Sequence, residues 1–150
     1  MNKKGFTLVE LLVVITVIGL LAAFAIVSLN SARVRARDGR RVSEIKQVQT
    51  ALELYFNEKN TYPEGNGIIL GVDKQKVLCS TGWEEKISDC GGGNIYMGKV
   101  PANQQPNGAD YIYTKTVVGT DIEYSITFSL ESDSGDLLAG PHTALPIGIN

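Results

Sequence analysis

The sequence predicts an α+β protein in which a long N-terminal α-helix packs on a small antiparallel β-sheet. Near the N-terminus of the 150-residue chain, an apolar run of about 24 residues contains a single carboxylate, Glu10. Apolar residues then recur every three to four positions, as on the buried face of a helix. Towards the C-terminus, two segments alternate in polarity and are rich in aromatic and β-branched residues, which is typical of paired strands.

The apolar run covers residues 6–29 and predicts a membrane-spanning helix. Such a helix rises roughly 36 Å, which exceeds the hydrocarbon thickness of about 30 Å. The periodic positions that follow predict one continuous helix from about Thr7 to Asn57, with a length of roughly 75 Å. Gly39 costs this helix only about 1 kcal/mol, and a turn beginning at Asn60 ends it. The periodic positions are Val42, Ile45, Val48, Leu52, Tyr55 and Phe56.

The predicted strands are residues 111–118 and 123–130, and residues 119–121 can turn one strand into the other. A third strand is expected to include Leu137 and Leu138, after an acidic turn. The segment between helix and sheet, residues 64–107, contains many glycines and both cysteines. It predicts a long loop with one short strand or turn.

Glu10 needs an explanation, because a carboxylate within a membrane segment costs on the order of a few kcal/mol. One interpretation is a capping box, in which Thr7 is the N-cap and Glu10 bonds back to the helix start. A second interpretation uses the residues before the run. The sequence Lys3-Lys4-Gly5, followed by Phe6-Thr7-Leu8-Val9-Glu10, closely resembles the prepilin signal of type IV pilins and type II secretion pseudopilins.

This resemblance implies cleavage between Gly5 and Phe6, N-methylation of Phe6 and retention of the helix. Residues 1–5 are then a leader peptide, residues 6–29 a transmembrane and assembly helix, and residues 30–150 an extracytoplasmic pilin-like domain. Filament assembly is expected to pair the Phe6 ammonium of one subunit with the Glu10 carboxylate of the next. Removing either partner would strand a buried charge, at a cost of roughly 3–5 kcal/mol.

The resemblance also implies a set of partners and a location. The partners are further copies of the chain, other pilins or pseudopilins, a prepilin peptidase that also methylates, an assembly platform protein, an ATPase and membrane lipid. The subunit is expected to be a single-pass inner-membrane protein with a cytoplasmic N-terminus. Its filament would lie in the periplasm or at the cell surface.

Charge bears on both orientation and partners. The net charge of −2 gives no reason to expect a specific nucleic-acid partner. An arginine cluster follows the apolar run and favours a solvated or headgroup-level helix face, with a DNA or anion site as the alternative. The cluster outnumbers Lys3 and Lys4, so the positive-inside rule alone would place the C-terminal side in the cytoplasm. The prepilin resemblance implies the opposite orientation. The cluster is Arg33, Arg35, Arg37, Arg40 and Arg41.

The chain has two cysteines, Cys79 and Cys90. Because the implied location lies outside the cytoplasm, we expect them to form a disulfide. The bond closes a loop of about ten residues and contributes roughly 2–3 kcal/mol in the chain-entropy model. Two cysteines with a distant His142, expected in a loop, make a poor zinc site. Trp83 is expected to cover a small apolar surface.

Glu131, Asp133 and Asp136 bracket a glycine-containing turn, and oxygen ligands clustered on a turn can hold calcium. Major pseudopilins have a calcium site in their C-terminal loops, although the spacing here matches no specific motif. A solvated acidic turn is the alternative. We find no Ser/His/Asp, Cys/His or phosphate-loop pattern in a convincing context. Neither an enzyme nor a further cofactor is therefore expected.

The resulting hypothesis is a structural subunit of a pilus-like filament. The compact length, the acidic C-terminal turn and the lack of a C-terminal disulfide favour a type II secretion pseudopilin that drives protein export. A type IV pilin for adhesion, motility or DNA uptake is the alternative within the family. An alternative of another class is a membrane-anchored binding domain that never polymerises.

Overall fold

The computed structural model describes residues 5–103 and 106–150. Helix α1 (Leu8–Lys59) has 52 residues and is about 78 Å long at 1.5 Å per residue. A short 3₁₀ helix (Ile87–Cys90) lies among the strands that follow. These are β1 (Ile68–Ile69), β2 (Val77–Cys79), β3 (Gly82–Glu84), β4 (Ile95–Met97), β5 (Ile112–Val118), β6 (Asp121–Leu130), β7 (Gly140–Leu145) and β8 (Gly148–Ile149).

The α+β class predicted from the sequence is confirmed, as is the single long helix. Helix α1 continues through Gly39 and ends two residues later than predicted. Its C-cap residue, Asn60, adopts a left-handed conformation and donates its amide to the Phe56 carbonyl at 2.8 Å. The predicted apolar stripe is the face that the domain covers, and Ile45, Val48 and Leu52 on it are completely buried.

The larger sheet has the order β1-β5-β6-β7-β8, with every neighbouring pair antiparallel. Strands β5 and β6 are the predicted pair, with ends shifted by one or two residues. Val118 lies opposite Asp121, so a two-residue turn joins them, and Gly119 supplies its positive φ of 64°. Strand β6 lies at the centre of this sheet and packs on α1.

The prediction of the third strand is wrong. Leu137 instead closes a tight turn, with backbone hydrogen bonds to Ser134 in both directions, and Leu138 is exposed. The third strand is β7, whose Gly140 lies opposite Leu130 of β6, so residues 131–139 form the connection between them. His142 lies in β7 rather than in a loop, and its ring packs against Phe128 at 5.6 Å.

The segment 64–107 is also more ordered than predicted. It contains β1 and a second sheet of order β3-β2-β4, whose strands are two or three residues long. Cys79, at the end of β2, and Cys90, in the 3₁₀ helix, form a disulfide with Cα atoms 6.0 Å apart. The bond ties the end of β2 to the 3₁₀ helix. Trp83 on β3 packs edge-on against Tyr113 at 5.2 Å, so it covers a core tyrosine.

Tyrosines fill much of the space between α1 and the sheet. Tyr111, Tyr113 and Tyr124 are fully buried there. Two of their hydroxyls have partners at the edge of the core: Tyr111 donates to Glu44 at 2.8 Å and Tyr113 donates to the Pro63 carbonyl at 2.7 Å. Burial raises the pKa of both phenols well above the usual range. They are therefore neutral donors at physiological pH.

Helix and sheet are also joined by a buried ionic cluster, the ionic clamp, which consists of Arg37, Asp38, Arg41 and Glu131. Asp38 is completely buried and Arg41 is 3% exposed. Asp38 accepts hydrogen bonds from Arg41 Nη1 at 2.8 Å and from the Glu131 amide at 3.0 Å. It also accepts from the amide and hydroxyl of Ser132 at 2.8 and 2.9 Å. Because Glu131 directly follows β6, these bonds fix the end of the central strand to the helix.

Both carboxylates of the clamp are held ionised. Glu131 accepts two hydrogen bonds from Arg37 at 2.8 and 2.7 Å and one from Arg41 at 2.6 Å. The bonds from Arg37 are the largest cause that lowers the pKa of Glu131 to about 2. Burial alone would raise the pKa of Asp38, but the backbone, arginine and hydroxyl donors together hold that pKa below its usual range.

Arg41 also holds the loop before β5. Its Nε donates to Asn103 Oδ1 at 3.0 Å, and its Nη2 donates to the Asn107 carbonyl. Gly108 has a φ of 92°, and a Cβ there would lie within 3.0 Å of the guanidinium group. The expectation of a solvated arginine face is therefore wrong for Arg37 and Arg41, because both turn inward to the domain.

Arg41→Gln is expected to destabilise the domain by about 3–5 kcal/mol, because it leaves Asp38 buried without its cation. Arg40→Gln is the matched control. The Arg40 side chain is 58% exposed and pairs with Glu44 across one helical turn, so its loss should cost only about 0.3–0.5 kcal/mol. Denaturant unfolding of the full chain in detergent micelles, followed by fluorescence of Trp83, measures both. Equal destabilisation by the two variants would contradict this role of the clamp.

The clamp also predicts acid sensitivity. A carboxyl whose pKa is lowered on folding stabilises the protein above its unfolded pKa, and this stabilisation is lost as pH falls through the folded pKa. For Glu131 the window runs from about 4.5 down to about 2. The unfolding midpoint of wild-type chain should fall within that window. Glu131→Gln should be less stable at neutral pH, and its deficit should shrink towards pH 2. A constant deficit across the window would contradict the prediction.

Candidate functional site

The N-terminal part of α1 is not covered by the rest of the domain. Residues 5–33 are all exposed, and the side chain of Phe6 is 81% exposed. This part of the helix is long and apolar enough to cross a membrane, and none of its most apolar window is buried by the domain. An apolar surface of this size marks a membrane or protein contact rather than a water-facing surface. The chain is therefore membrane-anchored through this segment.

The first turn of this segment holds Glu10 in a defined position. Thr7 is the N-cap, and its hydroxyl accepts the Glu10 amide at 3.2 Å. In return, Glu10 Oε2 accepts the Thr7 amide and the Thr7 hydroxyl, each at 2.8 Å. The capping box considered from the sequence is thus formed in the single chain. Both hydrogen bonds that the Glu10 side chain accepts from Thr7 use Oε2. Glu10 Oε1 has no hydrogen bond among the described residues.

The proposed cleavage point lies directly before this turn. Gly5 and Phe6 are exposed, and a Cβ placed on Gly5 would have no atom within 4 Å. The peptide bond between them is therefore accessible. Cleavage there would create an ammonium group four residues before Glu10, directly ahead of the N-cap Thr7. Lys3 and Lys4, which belong to the predicted leader, lie outside the described residues.

The calcium ligands predicted from the sequence do not come together. Both Glu131 oxygens are engaged by arginines, and Asp133 Oδ1 accepts the Ala139 amide at 2.8 Å. Across residues 5–103 and 106–150, no three acidic, histidine or cysteine side chains are grouped as a metal site would require. Asp136 lies exposed on the same turn. The structure thus favours the alternative, a solvated acidic turn, for Asp133 and Asp136.

The ionic clamp was not predicted from the sequence, although the sequence contains a signal for part of it. Asp38 and Arg41 lie seven and four residues before Ile45, in phase with the apolar stripe. Charged residues that continue an apolar stripe at helical spacing indicate a buried pair. No local pattern connects them to Glu131, which is 90 residues further along the chain than Arg41.

Comparisons with known proteins bear on the same N-terminal segment. Residues 1–26 match the model of the prokaryotic N-terminal methylation motif. The type IV major pilin protein PilA of Myxococcus xanthus is 36% identical over 63 residues, which are 42% of this chain and 29% of that protein. The type II secretion system core protein G of Escherichia coli is 36% identical over 65 residues, 43% of this chain and 45% of that protein. The N-terminal part of the chain is thus similar to that of type IV pilins and of type II secretion core proteins G.

A third relative in the family covers more of the chain. The type IV major fimbrial protein FimA of Dichelobacter nodosus is 45% identical over 87 residues, 58% of this chain and 52% of that protein. The chain thus spans about half or less of the length of these relatives. No solved structure matches it.

The matched methylation motif and the exposed Gly5–Phe6 bond predict how the chain is processed. We expect the mature protein to begin at Phe6 and to carry one N-methyl group there. Mass spectrometry of the N-terminal peptide, from protein purified from membranes, measures both features. A peptide that begins at Met1, or a cut after the apolar run, would rule the prediction out.

Proposed function

We propose that this chain is the structural subunit of a pilus-like helical filament, joined by pairs of Phe6 ammonium and Glu10 carboxylate groups from neighbouring copies. The observation that carries the proposal is an uncovered apolar helix whose single carboxylate is held in its first turn. Relatives named as major pilins, a major fimbrial protein and secretion core proteins support the same role.

The structure offers a path from stored subunit to polymer. In the membrane, the capping box gives Glu10 local donors that partly satisfy its charge. Glu10 Oε1 remains available for a second donor. If a neighbouring helix is displaced along its axis, its Phe6 ammonium can reach the height of this carboxylate. The pair is surrounded by apolar helices, where a charge without its partner costs several kcal/mol.

The remaining partners follow from this proposal. A prepilin peptidase would cut and methylate the chain, and a platform protein with an ATPase would extract it from the inner membrane into the filament. The N-terminus would face the cytoplasm and the domain the opposite side. The Cys79–Cys90 disulfide is consistent with that placement, because such bonds persist in oxidising compartments.

Within this role we propose a type II secretion pseudopilin, whose pseudopilus drives protein export. The compact domain supports it, as does a disulfide that closes a central loop instead of delimiting the C-terminal region. A type IV pilin for adhesion, motility or DNA uptake is the second candidate, favoured by the 45% identity to the fimbrial protein FimA over 87 residues. Electron microscopy of sheared surface material separates a long surface fibre from a short periplasmic one.

Glu10→Ala and Glu10→Gln are expected to leave membrane insertion intact, because each makes the apolar segment less polar. Both should abolish most filament formation, because the Phe6 ammonium loses its buried counter-charge. The measurement is filament yield in sheared fractions, compared with the amount of subunit that remains in the membrane. Subunit should accumulate in the membrane as filament is lost.

Thr7→Val is the matched control for this test. It removes the capping hydroxyl but keeps the Glu10 charge, so it should cost about 1 kcal/mol of helix stability and leave assembly nearly normal. Loss of filaments with Thr7→Val and normal yield with the Glu10 variants would show that the cap matters and the charge does not. Normal yield with every variant would favour a membrane-anchored domain that does not polymerise through this pair.

A further inference from the structure

We propose that His142, protonated on both ring nitrogens, is a pH-sensitive latch that holds the β6–β7 connection, residues 131–139, to the end of β8. Histidine changes its charge between about pH 5 and pH 8. The latch closes as the pH falls through this range and opens as the pH rises. This inference does not depend on the filament role, because it concerns the domain of a single chain.

The ring of His142 lies between two backbone oxygens. Its Nε2 is 2.7 Å from the Leu138 carbonyl oxygen, and its Nδ1 is 3.1 Å from the backbone oxygen of Asn150. A carbonyl oxygen accepts hydrogen bonds and has no proton to donate, so each ring nitrogen must carry the proton of its own bond. Neutral imidazole has one N–H and imidazolium has two. Both bonds therefore exist together only when His142 is positively charged.

Packing holds the ring in this position. His142 lies opposite Phe128 in the β6–β7 pair, and the two ring centres are 5.6 Å apart. It shares a face of the sheet with Ala144, two residues further along β7, which is completely buried in the core against α1. Turning the ring over would place a carbon beside each oxygen and lose both bonds. A neutral ring can thus satisfy at most one of the two oxygens.

The two oxygens belong to separate parts of the domain. Leu138 lies near the end of the connection, whose beginning is already fixed to α1 because Ser132 donates to Asp38. Asn150 directly follows β8, and its backbone forms two hydrogen bonds with Thr143 at 2.9 and 3.0 Å. His142 therefore fastens the second end of the connection and ties it to the edge strand of the sheet.

The parts that His142 joins are walls of one cavity. The cavity has a volume of about 600 Å³ and lies between α1, the connection and β8. The distance between the last two walls depends on whether His142 holds both oxygens, so protonation should set how open the cavity is. The cavity is lined by residues 134–137 of the connection, by Gly148 and Ile149 of β8, and by Val42, Lys46 and Gln49 of α1.

Other charged groups lie on the elements packed against His142. In the connection, Glu131 is bound by arginines of the ionic clamp, and Asp133 accepts the Ala139 amide at 2.8 Å. Carboxylates and lysines ordinarily change charge outside the range of pH 5 to 8, whereas histidine changes charge within it. The imidazole is therefore the group expected to respond there. The other charged groups are Asp136 on the connection, Lys46 on α1, and Asp121 and Glu123 at the far end of β6.

The direction of the effect follows from the charged form of the ring. A bond that only the protonated ring can make stabilises the closed latch at low pH, and this stabilisation is lost as the pH rises. The neutral ring should keep the shorter bond, to Leu138, and turn an Nδ1 lone pair towards the Asn150 oxygen. Two facing lone pairs repel, so the end of β8 should loosen. The acid loss of Glu131 falls in a separate window, from about 4.5 down to about 2.

Nuclear magnetic resonance of the full chain in detergent micelles tests the protonation. The chain has one histidine, so selective ¹⁵N labelling of histidine gives a single set of ring signals. At about pH 5 both ring nitrogens should show the chemical shift of a protonated nitrogen, and at about pH 8 only one of them should. A ring that is neutral at about pH 5 would overturn the proposal.

Amide hydrogen exchange tests whether the lost proton loosens β8. The reporters are the Thr143 and Asn150 amides, each of which bonds the other residue's backbone oxygen. Their protection, relative to unstructured peptides at the same pH, should fall at least about tenfold between pH 5 and pH 8. Amides of the β5–β6 pair are the internal reference and should keep their protection. Unchanged protection at both reporters, with a ring that does lose its proton, would overturn the latch.

Two variants separate the latch from other titrations. His142→Gln can donate through its amide group but carries no titrating charge, so the protection of the Asn150 amide should no longer depend on pH. Asp133→Asn keeps an oxygen acceptor for the Ala139 amide and removes a carboxylate of the connection, so its pH profile should match the wild type. A wild-type profile in His142→Gln, or a flat profile in Asp133→Asn, would assign the effect to another group and overturn the proposal. Should His142→Gln fail to fold, the wild-type ring signals and exchange decide.

Discussion

The ionic clamp determines how the rest of the molecule is arranged, because it joins the long helix to the central strand at one fixed height. A buried ion pair is weak evidence for stability, since desolvation offsets most of its attraction. The clamp matters because it fixes the axial position of the sheet on helix α1. Apolar burial is non-directional, whereas Asp38 must meet the amides of Glu131 and Ser132 or remain buried without donors. We attribute the position of the domain on α1 to this requirement.

The parts of the fold that could be predicted from the sequence are those in which apolar residues recur at a regular spacing over many positions. The stripe from Val42 to Phe56 has enough turns to define a buried face, and strands β5 and β6 are long enough for alternation to be seen. The N-terminal segment was predicted in more detail because its residues match a family signal. Its capping box follows from Thr7 and Glu10 alone, and so it forms in the single chain.

The short strands and the ionic clamp could not be predicted, because both depend on contacts between residues that are distant in the sequence. The strands β1 to β4 have two or three residues each, too few for any period, and they exist because pairing and the Cys79–Cys90 bond hold them. The acidic segment suggested a calcium site because its carboxylate oxygens cluster on a turn, although their spacing matches no specific motif. Glu131 is instead drawn to Arg37 and Arg41, and only the fold brings these residues together.

The clamp also has a consequence for assembly. Apolar helices that meet in a lipid-like core have little preference for one axial position, because their side chains resemble the lipid they replace. Charges must therefore specify the displacement between copies. The proposed Phe6–Glu10 pair would fix the helices, but it would place the domains only if each domain has one height on its own helix. The clamp supplies that height, since it ties β6 and the turn after it to Asp38. A displacement set in the apolar core is thereby transmitted to the surfaces of neighbouring domains.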